Sequence, residues 1–184
     1  MSDTNSTVQI RFGGVGGQGI VLAGRLLGQA AALFDGKEAV CTQAYGPEAR
    51  GGASRTDVVI SDDPVDYPFV TQADVLAVLF QEAYTRFRPM RKPGGLLILD
   101  TMFVQPFDDE ESYCGIPATK IAEDLGSRLV ANIVILGYLL GKTNVVSRAS
   151  VEEAIRASVK KQFVELDLRA LDAGISFAQS EAAS

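Results

Sequence analysis

Gly13-Gly14-Val15-Gly16-Gly17-Gln18-Gly19 decides how this chain folds. Five of these seven residues are glycine, and the stretch joins two segments of different period. Before it, Val8-Gln9-Ile10-Arg11-Phe12 alternates apolar and polar residues as a strand does. After it, the run from Ile20 to Phe34 is apolar or small except for Arg25 and Gln29, the composition of a largely buried helix. A strand, a glycine turn and a helix give Gly14-x-Gly16-x-x-Gly19 a mechanism. Glycine permits positive φ and close backbone approach, and the free N–H groups at a helix start, reinforced by its dipole, attract a phosphate.

Two nucleotide-binding patterns make further demands. A P-loop needs GxxxxGK[ST]; Gly14 and Gly19 have that separation, but Ile20 and Val21 stand where the phosphate-binding lysine and the magnesium-binding hydroxyl belong. A dinucleotide fold wants an acid about 20 residues on, at the end of the second strand. That strand is expected at Ala39 to Thr42 and ends on Thr42 and Gln43, whereas Asp35 and Glu38 precede it and cap or flank a turn at Gly36. Both patterns are therefore disfavoured, and the loop reads first as a holder for another anion or as a tight turn without a ligand.

With 184 residues, 47% hydrophobic and 22% charged, the chain suits one globular domain over residues 1–184, frayed at 1–7 and 180–184. A net charge of −6 argues against nucleic acid, whose phosphates call for a basic surface. No secretory segment is read at the polar start, and Leu129 to Leu140, interrupted by Asn132 and Gly137, is shorter than the ~20 residues of a membrane span. Cys41 and Cys114 are expected to be buried free thiols of a reducing cytoplasm. There is no histidine and no CxxC pair, so the usual zinc and iron–sulfur sites cannot be built from this chain by itself, and no residue is assigned a catalytic role.

Further along, Gly24 and Gly28 let the first helix lie close to a neighbour. Cys41 to Arg55 contains the breakers Gly46-Pro47 and Gly51-Gly52 and is expected to form a loop. In a parallel α/β arrangement this loop shares a sheet edge with the glycine turn, so that Tyr45, Arg50 and Arg55 can face a phosphate there; alternatively Glu48 and Arg50 form a solvated pair. Arg55 to Ser61 reads as a strand entering from an edge, and Asp74 to Phe80 and Leu96 to Asp100 as central parallel strands. Strands alternating with helices predict an α/β fold: three layers, Rossmann-like and doubly wound, with a mainly parallel sheet and helices on both faces.

Between and after those strands, the basic residues Arg86, Arg88, Arg91 and Lys92 and the acidic run Asp108 to Glu111 read as solvated surface, the former with a partner contact as the alternative. Ser112 to Ile116 reads as a short strand, and Pro117 to Gly126 as a helix with a glycine stop. Leu129 to Leu140 is a buried helix whose Asn132 needs partners, either a neighbouring backbone group or a ligand. Ser150 and Glu153 have capping-box spacing, and a last helix spans about Phe163 to Gln179.

Ile10 to Gly19, followed by Tyr45-Gly46-Pro47-Glu48-Ala49-Arg50-Gly51-Gly52, Pro93-Gly94-Gly95, Pro117-Ala118-Thr119 and Asn132, resembles the gamma subunit of the 2-oxoacid:ferredoxin oxidoreductases. The resemblance runs from about Val8 to Gly174 and is nearest the 2-oxoglutarate type, with pyruvate and branched-chain or aryl oxoacid types as relatives. It implies a subunit of a cytoplasmic complex that oxidatively decarboxylates a 2-oxoacid to acyl-CoA, the isolated chain being inactive. Alpha and beta partners, with a ferredoxin-like delta subunit as a possible fourth, would hold thiamine diphosphate, magnesium and the iron–sulfur clusters, and ferredoxin would accept the electrons. The resemblance further implies coenzyme A at Gly14, Gly16, Gly17, Gln18 and Gly19, with Tyr45, Glu48 and Arg50 at the coenzyme site or a subunit interface. Two other readings remain: a subunit of the same complex that packs without holding a ligand, and a free-standing flavin or nicotinamide reductase.

Overall fold

The alternation from Val8 becomes the central strand of the sheet. The computed structural model describes residues 7–44, 52–110 and 112–182, and within them β1 spans Val8–Val15. It leads through the glycine turn into α1, Ile20–Gln29, which ends in a π-helical turn at Ala30–Phe34. Four more strands flank it: β2 Glu38–Ala44, β3 Ala53–Ser61, β4 Ala73–Val78 and β5 Arg91–Asp100, with α2, Gln81–Phe87, between the last two. The short β6, Cys114–Ile116, precedes the helices α3 Ala118–Asp124, α4 Ala131–Thr143, α5 Arg148–Ser158 and α6 Lys161–Ala182.

The six strands lie in the order β2-β3-β1-β4-β5-β6. From β1 through β4 and β5 to β6 every pairing is parallel. The expected frame holds on that side and changes on the other, because β3 runs antiparallel to both β1 and β2. β3 is thus an interior strand and not one that enters from an edge; β2 is the edge. Two reversals restore direction, so β2 runs the same way as β1. The ends of the β2–β3 connection, Ala44 and Ala53, accordingly emerge beside the glycine turn, with Ala53 opposite Val15.

Apolar side chains alternate across the sheet and build two cores. Val75 and Ala77 join α1, α3, α4, α5 and α6 on one face, while Leu76 and Val78 join α2 on the other. α4 is buried at every position from Ala131 to Leu140, since α6 covers its outer side. The two helices cross closely enough that a β-carbon at Gly137 or Gly174 would overlap the opposing backbone at Leu171 or Val134. A β-carbon at Gly24 of α1 would overlap the side chain of Thr56 on β3, a close approach of the kind its spacing suggested.

Charge is less solvated than the sequence implied. Arg11 and Asp57 face each other in the β1–β3 register and form a buried bidentate pair, Nε to Oδ1 at 2.7 Å and Nη2 to Oδ2 at 2.8 Å. Arg11 also donates to the Val70 carbonyl. In the acidic run Glu110 is buried, accepting hydrogen bonds from Arg88 at 2.8 Å, Arg91 at 2.6 Å and the Tyr84 hydroxyl at 2.9 Å. Arg88 and Arg91 of the expected basic surface are therefore a clamp on the β5–β6 connection, with Lys92 bound separately to Asp74.

Two further expectations need correction. Cys41, on the edge strand, is exposed and Cys114 is half-buried. α5 begins before Ser150: Ser147 caps it, accepting from the Ser150 amide, and Asp35 accepts from the Ser147 amide at 2.6 Å and from both serine hydroxyls. No helix among the described residues is long and apolar enough to cross a membrane.

Candidate functional site

β1 and β4 are adjacent and parallel, yet the helices that follow them cover opposite faces of the sheet. Loops diverging in this way open a crevice at the carboxyl ends of the strands, where α/β folds bind ligands. The glycine turn forms one wall.

Within the turn the glycines do different things. Gly14 is buried in β1 and makes room for the Gln18 side chain, whose Oε1 would lie 2.7 Å from a β-carbon there. Gln18 accepts from the Val15 amide through Oε1 at 2.9 Å and donates through Nε2 to the Leu79 carbonyl at 3.1 Å. It latches the turn to the end of β4. Gly16 and Gly17 form the exposed rim, with open space around both and φ of 92° at Gly17. Gly19 caps α1 in the left-handed conformation, φ 72°, which glycine adopts without strain.

A second helix start meets the first. Ser127 opens a 3₁₀ turn, Arg128–Val130, that runs directly into α4. Asn132 in the first turn of α4 donates from Nδ2 to the Gly19 carbonyl at 2.9 Å. Its Oδ1 is buried and has no hydrogen-bond partner among the described residues.

The crevice is a cavity of about 260 Å³ lined by Gly17 and Gln18, Phe80 beyond β4, Phe103 beyond β5, and Thr119, Arg128 and Leu129. Arg128 is its cation. The guanidinium lies 5.6 Å from the Phe103 ring centroid and 3.8 Å from the Glu123 carboxylate, with 59% of the side chain exposed. A cation at the amino end of a helix opposes the helix dipole. An anion placed between Arg128 and the starts of α1 and α4 removes that conflict and is attracted by all three.

Of the residues expected at the site, Gly17 and Gln18 line the crevice, Gly16 is exposed beside Gly17 in the turn, Gly19 orients α1, and Gly14 makes room for Gln18. Tyr45, Glu48 and Arg50 lie outside the described residues. Arg55 is not a free phosphate ligand, since its Nε lies 3.4 Å from Asp57. The expectation missed Arg128, Phe103 and Thr119. Arg128 carried a readable signal: Ser127-Arg128 stands before a largely apolar helix, where a basic residue is electrostatically out of place.

A cavity of about 570 Å³ at the opposite end of the molecule is larger, but its charged residues are already engaged, Asp35 with Ser147 and Ser150 and Arg148 with Glu152 and Asp172. Among the described residues no cluster of three or more His, Cys, Asp or Glu is arranged to hold a metal ion.

The family pattern described as pyruvate ferredoxin/flavodoxin oxidoreductase matches residues 9–177. The chain is similar to the 2-oxoglutarate synthase subunit KorC of Methanocaldococcus jannaschii, 49% identical over 176 residues covering 93% of this chain and 94% of the relative. Its fold is similar to the gamma subunit of keto/oxoacid ferredoxin oxidoreductase from Geobacter sulfurreducens, with a TM-score of 0.86, 41% identity and coverage of 95% and 97% of the two chains. It is also similar to 2-oxoglutarate:ferredoxin oxidoreductase from Magnetococcus marinus, solved with 2-oxoglutarate, coenzyme A and succinyl-CoA bound. There the TM-score is 0.83 and the identity 25%, and the match covers 95% of this chain but 31% of that one.

Proposed function

The chain belongs to the pyruvate ferredoxin/flavodoxin oxidoreductase family, and from that premise we propose that it is a gamma subunit that holds coenzyme A for a 2-oxoacid oxidoreductase of the 2-oxoglutarate type. In the overall reaction a 2-oxoacid anion and the coenzyme thiol give acyl-CoA, carbon dioxide, a proton and two electrons, which ferredoxin accepts. Thiamine diphosphate, magnesium and the iron–sulfur clusters belong on this reading to alpha and beta companion chains, with or without a ferredoxin-like delta chain. This chain binds and orients.

The observation that carries the proposal is the meeting of Arg128 with the starts of α1 and α4, tied together through Asn132 and Gly19. Coenzyme A brings phosphates for the amides and the guanidinium, and a ring system and an extended arm for walls such as Phe80 and Phe103. The orphaned Asn132 Oδ1 and the open space at Gly16 fit a polar ligand entering at the rim. A cavity of about 260 Å³ falls below the roughly 300–1,000 Å³ of a complete small-molecule site, so it accommodates part of the coenzyme and leaves the rest to another surface.

Calorimetric titration of the purified chain with coenzyme A tests the assignment. The chain binds, and Arg128→Ala weakens binding by about tenfold or more, the effect of losing one charge-assisted contact. Equal affinity in the two proteins returns the crevice to a packing role within the same complex.

A further inference from the structure

Next to the crevice lies a second, wider cavity of about 680 Å³, lined by Phe80, Gln81, Met102, Phe103, Pro106 and Tyr113 among others. The two share Phe80 and Phe103 and so lie side by side. No lining side chain of the wider cavity is charged, although 22% of the chain is. Met102 is 46% exposed, Tyr113 47%, and Leu129, on the far side of Phe103, 71%. Interface centres are depleted of charge and enriched in Met and aromatic residues, and contiguous exposed apolar surface marks interaction sites.

The start of this surface, Met102 to Val104, is already fixed. Asp100 is buried and accepts hydrogen bonds from the Met102 amide at 3.1 Å and from the amide and hydroxyl of Thr119. The Phe103 and Val104 amides donate to the Asp100 carbonyl. Further along, Glu110 is gripped by Arg88, Arg91 and Tyr84. A partner docking here does not have to order a loop first.

We propose that this uncharged shelf, formed by Met102, Pro106 and Tyr113 beside the crevice, docks the companion chain that carries the reaction centre. The inference rests on the coenzyme reading above. Coenzyme A held at the crevice is only partly enclosed, and its thiol has to reach a reaction centre on another chain, so the chain that carries that centre must sit beside the crevice, where this shelf lies. The match to 31% of the Magnetococcus marinus chain shows the same fold joined to other polypeptide in one molecule, which makes a companion chain the occupant in preference to a second copy of this one.

The test uses the co-expressed complex. Met102→Glu with Tyr113→Glu places two charges on the shelf without touching the crevice lining, and the companion chains then no longer co-elute with this one. The isolated variant is titrated with coenzyme A as a separate readout. Unchanged affinity alongside lost assembly supports the docking surface, whereas loss of coenzyme affinity in the unsubstituted chain strikes the earlier reading instead. A complex that assembles undiminished with both glutamates overturns the proposal. Photo-crosslinking from a benzophenone side chain at position 102 of the intact complex covers a variant that fails to fold: the expected adduct is with the catalytic companion, and an adduct only with a second copy of this chain contradicts it.

Discussion

Asn132 on α4 donates a 2.9 Å hydrogen bond to the backbone carbonyl of Gly19, the left-handed residue that caps α1. One side chain thus fixes the relative placement of two helix starts that converge on the crevice. A β-carbon on Gly19 would stand 2.6 Å from the same amide nitrogen, so the glycine is required by space as well as by its φ of 72°.

Replacing Asn132 by Ala is expected to lower stability by about 1–3 kcal/mol through loss of the buried bond and to weaken coenzyme binding as well. Gly19→Ala combines backbone strain with the clash, and Asn132→Ala added to it relieves the steric part only. Denaturant unfolding of the two single variants and the double variant checks this, because independent effects would simply add.

The Arg11–Asp57 pair is buried on both sides, with 1% and 3% of the side chains exposed. Asp57→Asn leaves a buried guanidinium without its counter-charge, and the expected loss is about 3–5 kcal/mol, seen as a shift of the urea midpoint at constant slope.

The pH dependence of stability contains two opposite contributions. Burial pushes the Glu110 carboxyl up, but hydrogen bonds from Arg88 and Tyr84 and the charge of Arg91 outweigh it and hold the group below its ordinary 4.5. Its contribution is present above that value and is lost as pH falls through the folded pKa, so Glu110→Gln destabilises at pH 7 and converges with the parent in acid. Asp167 is the reverse case: burial raises it from 3.8 to about 6. The folded state prefers its protonated form, and stability falls as pH rises through that interval. Asp167→Asn is expected to raise stability at pH 7.5 by on the order of 1–3 kcal/mol, seen as a higher melting temperature, and to change little at pH 3.5. Melting curves across this range test both signs.

Arg128→Ala and Arg55→Ala should separate in ligand binding, although the sequence alone offered Arg50 and Arg55 and not Arg128. The former removes the cation that lines the crevice, whose contact with the exposed Glu123 is loose; the latter removes a cation beside the buried Asp57. Coenzyme titrations at two salt concentrations distinguish them, since losing a phosphate contact also reduces the salt dependence.

What the sequence revealed follows from which forces act locally. The glycine turn, the apolar strands at Asp74 to Phe80 and Leu96 to Asp100 and the buried α4 were legible because backbone sterics and hydrophobic period are written in neighbouring residues. Strand direction is not written there: an apolar run at Val58 to Ile60 reads alike whichever way β3 runs. Arg11 followed the alternation of a solvent face, but the sheet is covered on that face too, and only the cross-strand register supplies Asp57. Glu110 looked solvated because its partners stand about twenty residues earlier in the chain. The candidate site divided in the same way. Its rim glycines were visible, whereas Arg128 and Phe103 join them through tertiary packing.

The most direct test of the central claim is the KM for coenzyme A of the assembled oxidoreductase carrying Gly16→Val in this chain. Gly16 has open space around it, so the larger side chain obstructs the rim without disturbing the core. The account predicts a KM raised by about tenfold or more, corresponding to roughly 1.4 kcal/mol or more of lost binding. A KM equal to that of the parent complex would contradict it.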